Sequence, residues 1–260
     1  MNKGYNQIKS KKRNVEFDEG RHSRARLGFI LMSTDLAGES DFFDMAPSGV
    51  GIHITRLKTD DYTTNETLSR HIDFMADAAS RIQPDTKPQV ISYSCTSGSI
   101  VIGEEKVMQE IKKGAPYSIP MTLVTGVIDV LNELKIKKLV VGTPYLDEIN
   151  TLELRFLERK GFDIISIEGL NLETGIDFGK VTPQFWKKFA LEINKPEADA
   201  IFLSCGGIRS LEVVQEIEDL TGKPVITSNQ AQMWSCLRKA GIKDKILGYG
   251  QIFSKDGNFN

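Results

Sequence analysis

Residues 89–99 read QVISYSCTSGS, and residues 199–210 read DAIFLSCGGIRS. Each opens on a short apolar run, passes through Ser-Cys and continues into small residues. Cys95 and Cys205 hold the same place in the two stretches, 110 positions apart. Short apolar runs rich in Ile, Val and Leu are how strands read when helices cover both faces of a parallel sheet. A second pair, LGFILMSTD at 27–35 and LVVGTPYLD at 139–147, lies at nearly the same separation. Two matched pairs predict a duplicated α/β half.

The rest of the chain extends the pattern. Strand candidates are 27–32, 50–55, 89–93, 138–142, 163–167, 199–203, 224–227 and 245–249, which divide into four and four. Helix candidates lie between them at 66–82, 121–135, 148–160, 207–219 and 229–240. In the first of these, Leu68, Ile72, Met75, Ala79 and Ile82 fall on one stripe. Strands alternating with helices predict parallel sheets with right-handed crossovers. The expected organisation is a basic extension over 1–26, a first α/β half over 27–124 plus 232–260, and a second over 125–231.

Bulk properties exclude several classes. The net charge of −2 gives no overall attraction to nucleic acid or an anionic membrane. The sequence has no apolar run near the ~20 residues of a membrane span. MNKGYNQIKSKKRN lacks the apolar core of a secretory signal. Three separated cysteines read as reduced thiols of a cytoplasmic protein. His22, His53 and His71 show no metal-ligand spacing, so no metal site is expected.

Parallel sheets bind ligands beyond the carboxyl ends of their strands. Four segments stand there: Ser33-Thr34-Asp35, Cys95-Thr96-Ser97-Gly98-Ser99, Gly142-Thr143-Pro144-Tyr145 and Cys205-Gly206-Gly207. If the halves face each other, these converge on one cleft. Each cysteine is expected to start a helix, whose dipole lowers a thiol pKa. Free amides and the hydroxyls of Thr96 and Ser97 suit a carboxylate. Gly206 and Gly207 permit close backbone approach. A cysteine ending a buried strand is also a plain small hydrophobe, but two in matched contexts favour chemistry. Cys236, inside a helix candidate, reads as packing.

CTSGS at 95–99, GTPY at 142–145 and SCGGIRS at 204–210, in this order, resemble the aspartate/glutamate racemase superfamily. The resemblance is to the branch of maleate cis-trans isomerase, arylmalonate decarboxylase and ectoine-utilisation protein A, and it covers about residues 27–253. It implies two pseudo-symmetric flavodoxin-like halves, a site between them, no cofactor and a homo-oligomer. It implies catalysis by Cys95 and Cys205, and substrate binding by Thr96, Ser97, Tyr145 and Gly206. The decarboxylase has glycine at the first cysteine position. Maleate isomerases carry asparagine where this chain has Met32-Ser33-Thr34-Asp35-Leu36. Asp35 would repel a second carboxylate and hold an ammonium or amide N–H. Asn171 matches a further substrate-binding asparagine of the isomerases. An N-cap role for Asp35 and a turn role for Asn171 stand as alternatives.

The expected function is therefore isomerisation at the carbon next to a carboxylate of a small, nitrogen-bearing acid such as an ectoine-derived compound. Either two-cysteine proton transfer or covalent thiol addition serves it. The alternatives are maleate isomerisation, arylmalonate-type decarboxylation with Cys205 as proton donor, and carboxylate binding without turnover.

Overall fold

Among the described residues, eight strands form two sheets of equivalent order. The computed structural model describes residues 10–82 and 84–257. Strands β1 (Ala25–Met32), β2 (Val50–Leu57), β3 (Val90–Tyr93) and β4 (Ile119–Thr122) lie in the order β2-β1-β3-β4. Strands β5 (Lys138–Thr143), β6 (Asp163–Gly169), β7 (Ala200–Leu203) and β8 (Val225–Thr227) lie in the order β6-β5-β7-β8. Every sheet pairing is parallel. The second order is the first shifted by four strands, so the repeat seen around the two cysteines extends to whole halves.

Alternation along β1 sorts its side chains between two cores. Leu27, Phe29 and Leu31 face a core shared by both sheets, with Leu139 and Val141 of β5 and Phe202 of β7. Ile30 and Met32 join a smaller core under α3 (Ile72–Ser80) and α5 (Glu104–Gly114). The shared core also takes Val124, Val127 and Leu131 of α6 (Leu123–Glu133) and Met233, Trp234 and Leu237 of α11 (Ser228–Lys239). These two helices occupy equivalent places in the repeat and pack closely. A Cβ at Gly126 would stand 2.8 Å from Gln232 Cα, so only glycine permits the approach.

The remaining helices are α1 (Gly38–Asp44), α2 (Asn65–Ser69), α4 (Thr96–Ile102), α7 (Asp147–Arg159), α8 (Gly175–Lys180), α9 (Pro183–Ile193) and α10 (Val214–Thr221). On the outer face of the second sheet, Trp186, Phe189 and Ile193 of α9 pack with Val214 and Ile217 of α10.

Several boundaries differ from the sequence reading. Residues 245–249 form no strand, and the eighth strand is Ile119–Thr122, within and just before a segment read as helix. Pro120 disguised it. A proline fits a strand only at an edge, and β4 is an edge strand. The helix read over 66–82 is two helices, α2 and α3, separated at Arg70-His71. Strand β1 starts at Ala25, so it takes in two residues of the expected extension. Residues 10–24 carry neither helix nor strand, and the expected arm over 1–9 lies outside the described residues. Arg24 is tied to Asp244 by an ion pair of 2.5 Å.

Candidate active site

The carboxyl ends of β1, β3, β5 and β7 converge on one cavity. Its lining includes Asp35, Cys95, Thr96, Ser97, Tyr145, Cys205, Gly206 and Gly207, all expected from the sequence. Asn171 is not among the lining residues. It is exposed, with φ of 58°, in the loop after β6. That is the left-handed turn role asparagine tolerates, and the expected place on the substrate is not where the structure puts it.

Cys95 is the N-cap of α4. Its Sγ accepts the Gly98 N–H at 3.3 Å and lies 3.6 Å from Ser97 Oγ. Cys205 departs from the expectation, because no helix starts there. Residues 206–210 form a turn, a short 3-10 segment follows at Leu211–Val213, and α10 starts only at Val214. The Cys205 Sγ accepts the Gly207 N–H at 3.3 Å, and the nearby Tyr145 hydroxyl favours its ionised form. Cys205 has φ of 155°, a backbone conformation that side-chain-bearing residues rarely adopt.

The expected lowering of both thiol pKa values is overturned. Burial pushes the Cys95 thiol up, against the opposing hydrogen bonds from Gly98, Ser97 and Tyr93. Burial pushes the Cys205 thiol up further, to about 12. Desolvation penalises a thiolate more than one or two amide dipoles favour it. Cys95, the N-cap of a helix and the less buried of the two, is the thiol better placed to ionise. Cys236 is buried in α11 against Met121 and plays the packing role expected of it.

Asp35 borders the cavity and shapes the turn into α1, although the N-cap of that helix is Ala37 and not Asp35. One carboxylate oxygen accepts the Ala37 and Gly38 amides at 2.9 and 2.8 Å, holding the turn into α1. The side chain also borders the cavity, and burial raises its pKa. Asp60 and Asp61 join it on the lining, which contains no lysine or arginine among the described residues. These two come from the loop after β2, which clasps the loop after β6. Thr63 N–H donates to Glu173 O at 3.0 Å, and Gly175 N–H donates to Asp61 O at 3.0 Å.

Sequence reasoning missed the second layer around the cysteines. Ser228, the first residue of α11, accepts the Cys205 N–H at 3.0 Å, and its hydroxyl lies 3.0 Å from Thr96 Oγ1. Asn229 donates to Gly206 O and to Asp41 Oδ2, each at 2.8 Å. Both residues follow β8, so the rule that found the cysteines points to them as well. His71, Tyr62 and Phe178 also line the cavity and carried no such signal. Among the described residues no group of three or more His, Cys, Asp or Glu side chains forms a metal cage. No helix among them is long and apolar enough to cross a membrane.

A model of the arylmalonate decarboxylase family matches residues 44–253, most of the chain. The chain belongs to the arylmalonate decarboxylase family. Its relatives in that family and its surroundings are isomerases and a decarboxylase. The arylmalonate decarboxylase of Bordetella bronchiseptica is 28% identical over 203 residues, covering 74% of this chain and 82% of that protein. The maleate isomerase of Alcaligenes faecalis is 23% identical over 245 residues, covering 88% and 96%. In structure, the chain is similar to a mutant maleate cis-trans isomerase of Nocardia farcinica with a covalently bound succinylcysteine intermediate. That match has a TM-score of 0.81 at 20% identity and covers 88% and 98% of the two chains. The family assignment agrees with the branch of the aspartate/glutamate racemase superfamily that the motifs resemble.

Proposed function

We propose that this family member is a cofactor-independent isomerase acting at the carbon next to a carboxylate of a small acid, with Cys95 and Cys205 as its reacting groups. The observation that carries this reading is that both thiols line one cavity, each at the end of the equivalent strand of its half. Thr96, Ser97, Tyr145 and the Gly206-Gly207 amides border the same cavity and suit the carboxylate.

The two thiols take different roles. Cys95, the better placed to ionise, is the base or nucleophile, and Cys205 is the proton donor. In the addition route the Cys95 thiolate attacks one carbon of a double bond. The C–S bond forms as the π pair moves toward the carboxylate, the remaining single bond rotates, and the pair returns as thiolate leaves. In the proton-transfer route Cys95 takes the α-proton and Cys205 returns one to the opposite face. The succinylcysteine found in the Nocardia farcinica relative supports the addition route.

The acid groups on the lining bear on the substrate. Asp35, Asp60 and Asp61 on a lining with no lysine or arginine among the described residues favour one carboxylate and a neutral or cationic nitrogen group over a dianion, although Arg70 pairs with Asp60 at 3.9 Å and Arg56 lies beside Asp35 from outside the lining. The relatives are named for maleate and arylmalonate. They support the alternative of a plain dicarboxylate substrate better than an ectoine-derived one. Decarboxylation is the second reading, favoured by the likeness to arylmalonate decarboxylase, with Cys205 protonating the carbanion.

Proton NMR in deuterated water tests all three. The substrates are maleate, aspartate, N-acetylated diaminobutyrates and phenylmalonate. Conversion of maleate to fumarate, or deuterium entering an α-position, with loss in Cys95→Ala, is expected. Full turnover by both Cys95→Ala and Cys205→Ala would refute the reading. Carbon dioxide from phenylmalonate would replace it with the second.

A further inference from the structure

We infer that His71 is a positioning residue for the reaction, acting through Tyr93 on the Cys95 thiolate by a directed chain of hydrogen bonds. This rests on the assignment of Cys95 as base or nucleophile. His71 stands just before α3 and is 2% exposed. Its Nδ1 lies 2.7 Å from Tyr93 Oη, and its Nε2 lies 2.6 Å from Thr59 Oγ1. The Tyr93 hydroxyl lies 4.0 Å from Met32 Sδ and stands beside the Cys95 sulfur, whose ionised form it favours as a donor. Gly98 keeps this meeting point open. A Cβ there would stand 2.1 Å from Tyr93 Oη and 3.1 Å from Cys95 Sγ.

Proton counting gives the direction the chain takes when it serves an ionised thiol. Burial holds the imidazole neutral, with its pKa lowered to about 4, so one nitrogen donates and the other accepts. Burial also keeps the Tyr93 phenol protonated, so it is a donor available to a thiolate. If Tyr93 gives its proton to Sγ, its oxygen accepts from His71 Nδ1–H. His71 Nε2, at 2.6 Å, then takes the Thr59 hydroxyl proton in place of its other acceptor, Asp60 O at 3.2 Å. Every group from Thr59 to Cys95 uses its one proton toward the sulfur, which favours the ionised thiol where burial opposes it. Thr59 lies on the cavity lining in the loop after β2, so the chain links the cavity mouth to the thiol.

The test measures the reactivity of Cys95, which needs no turnover. In a Cys205→Ser background, alkylation of Cys95 by iodoacetamide is followed against pH by peptide mass spectrometry. The sulfur displaces iodide, and the rate follows the thiolate fraction. The titratable and charged groups facing Cys95 and His71 are Asp35, Asp60, Tyr93, Tyr145 and Cys205. We expect His71→Leu and Tyr93→Phe each to slow alkylation about tenfold at pH 8 and to move its inflection to higher pH. The double variant should be no slower than Tyr93→Phe alone. His71→Asn, whose amide nitrogen can replace Nδ1–H, should recover most of the rate. A merely structural role has the opposite sign, because loosening a buried thiol speeds alkylation. Unchanged or faster alkylation in His71→Leu and Tyr93→Phe, or no recovery in His71→Asn, overturns the inference. Turnover surviving in Cys95→Ala would instead overturn the catalytic assignment, which this assay leaves untouched.

Discussion

The hydroxyls of Thr96 and Ser228 meet at 3.0 Å across the boundary between the two halves. Thr96 follows the first cysteine, and Ser228 accepts the backbone N–H of the second. One contact therefore fixes the spacing of two turns that come from different sheets. Ser228→Ala removes it and leaves the buried Cys205 N–H without its acceptor, a loss of about 1–3 kcal/mol. We expect a lower melting temperature together with a fall of about tenfold or more in turnover. Thr96→Val, which keeps the Cys205 bond, should cost less stability. Equal melting temperatures for wild type and Ser228→Ala would show that the bridge contributes nothing.

The unequal thiols predict unequal mutants. With an unsaturated acid as substrate, Cys205→Ala retains the nucleophile and lacks the proton donor. Intact-protein mass spectrometry should then find a covalent adduct of one substrate mass on Cys95. Cys95→Ala should form none. An adduct on Cys205 in the Cys95→Ala variant would reverse the assigned roles.

Much of this was legible in the sequence because the repeat is carried by short strands that end in reactive residues. Cys95 and Cys205 were found from matched strand ends, and the same ends supplied Thr96, Ser97 and Tyr145. What was not legible is instructive. Strand β4 was hidden by Pro120, whose place at a sheet edge only the pairing reveals. Helix α11 is buried from Ser228 to Arg238 although its sequence, SNQAQMWSCLRK, reads as largely polar. Its side-chain donors find partners in other elements, as when Gln232 donates to Ser92 Oγ at 2.6 Å and Ser94 Oγ at 3.0 Å, while Gln232 Oε1 and Asn229 Oδ1 accept from no partner among the described residues. Periodicity reports exposure to water and is silent about such partners. The direction of the thiol pKa shift failed for a related reason. The helix dipole at Cys95 can be read from the chain, but the depth of burial that outweighs it belongs to the tertiary fold.

That burial gives the pH dependence of activity. Both thiols have folded pKa values raised above the ordinary cysteine range. The reacting form needs one thiolate, so its population grows as pH rises, about tenfold per unit while pH stays below the thiol pKa. Initial rates between pH 6 and pH 9 should climb without a plateau near neutrality. A maximum below pH 7 would argue against a thiolate as the starting species.

The stability of the fold should move the other way with pH, and Glu153 supplies a single-residue test. It lies on the buried side of α7 at 1% exposure, and neither carboxyl oxygen has a hydrogen-bond partner. Burial raises its pKa to about 7, with the nearby Ser204 hydroxyl opposing the rise from outside good hydrogen-bond geometry. The unfolded chain loses this proton near the ordinary glutamate value, whereas the fold keeps it until about pH 7. Between those values the folded state binds more protons, so stability falls as pH rises. Asp41, raised to about 7 by burial despite the hydrogen bond from Asn229, adds to the same slope. The full effect of Glu153 is up to about 3 kcal/mol. Glu153→Gln keeps the shape and removes the ionisation. Urea unfolding at pH 5 and pH 8 should show wild type losing stability at the higher pH. The variant should lose less, because the Glu153 contribution is gone while those of Asp41, Asp35 and Glu218, and the opposing one of His71, are the same in both proteins. Equal losses in the two proteins would mean that Glu153 does not ionise on this path and that its surroundings solvate it better than its burial implies.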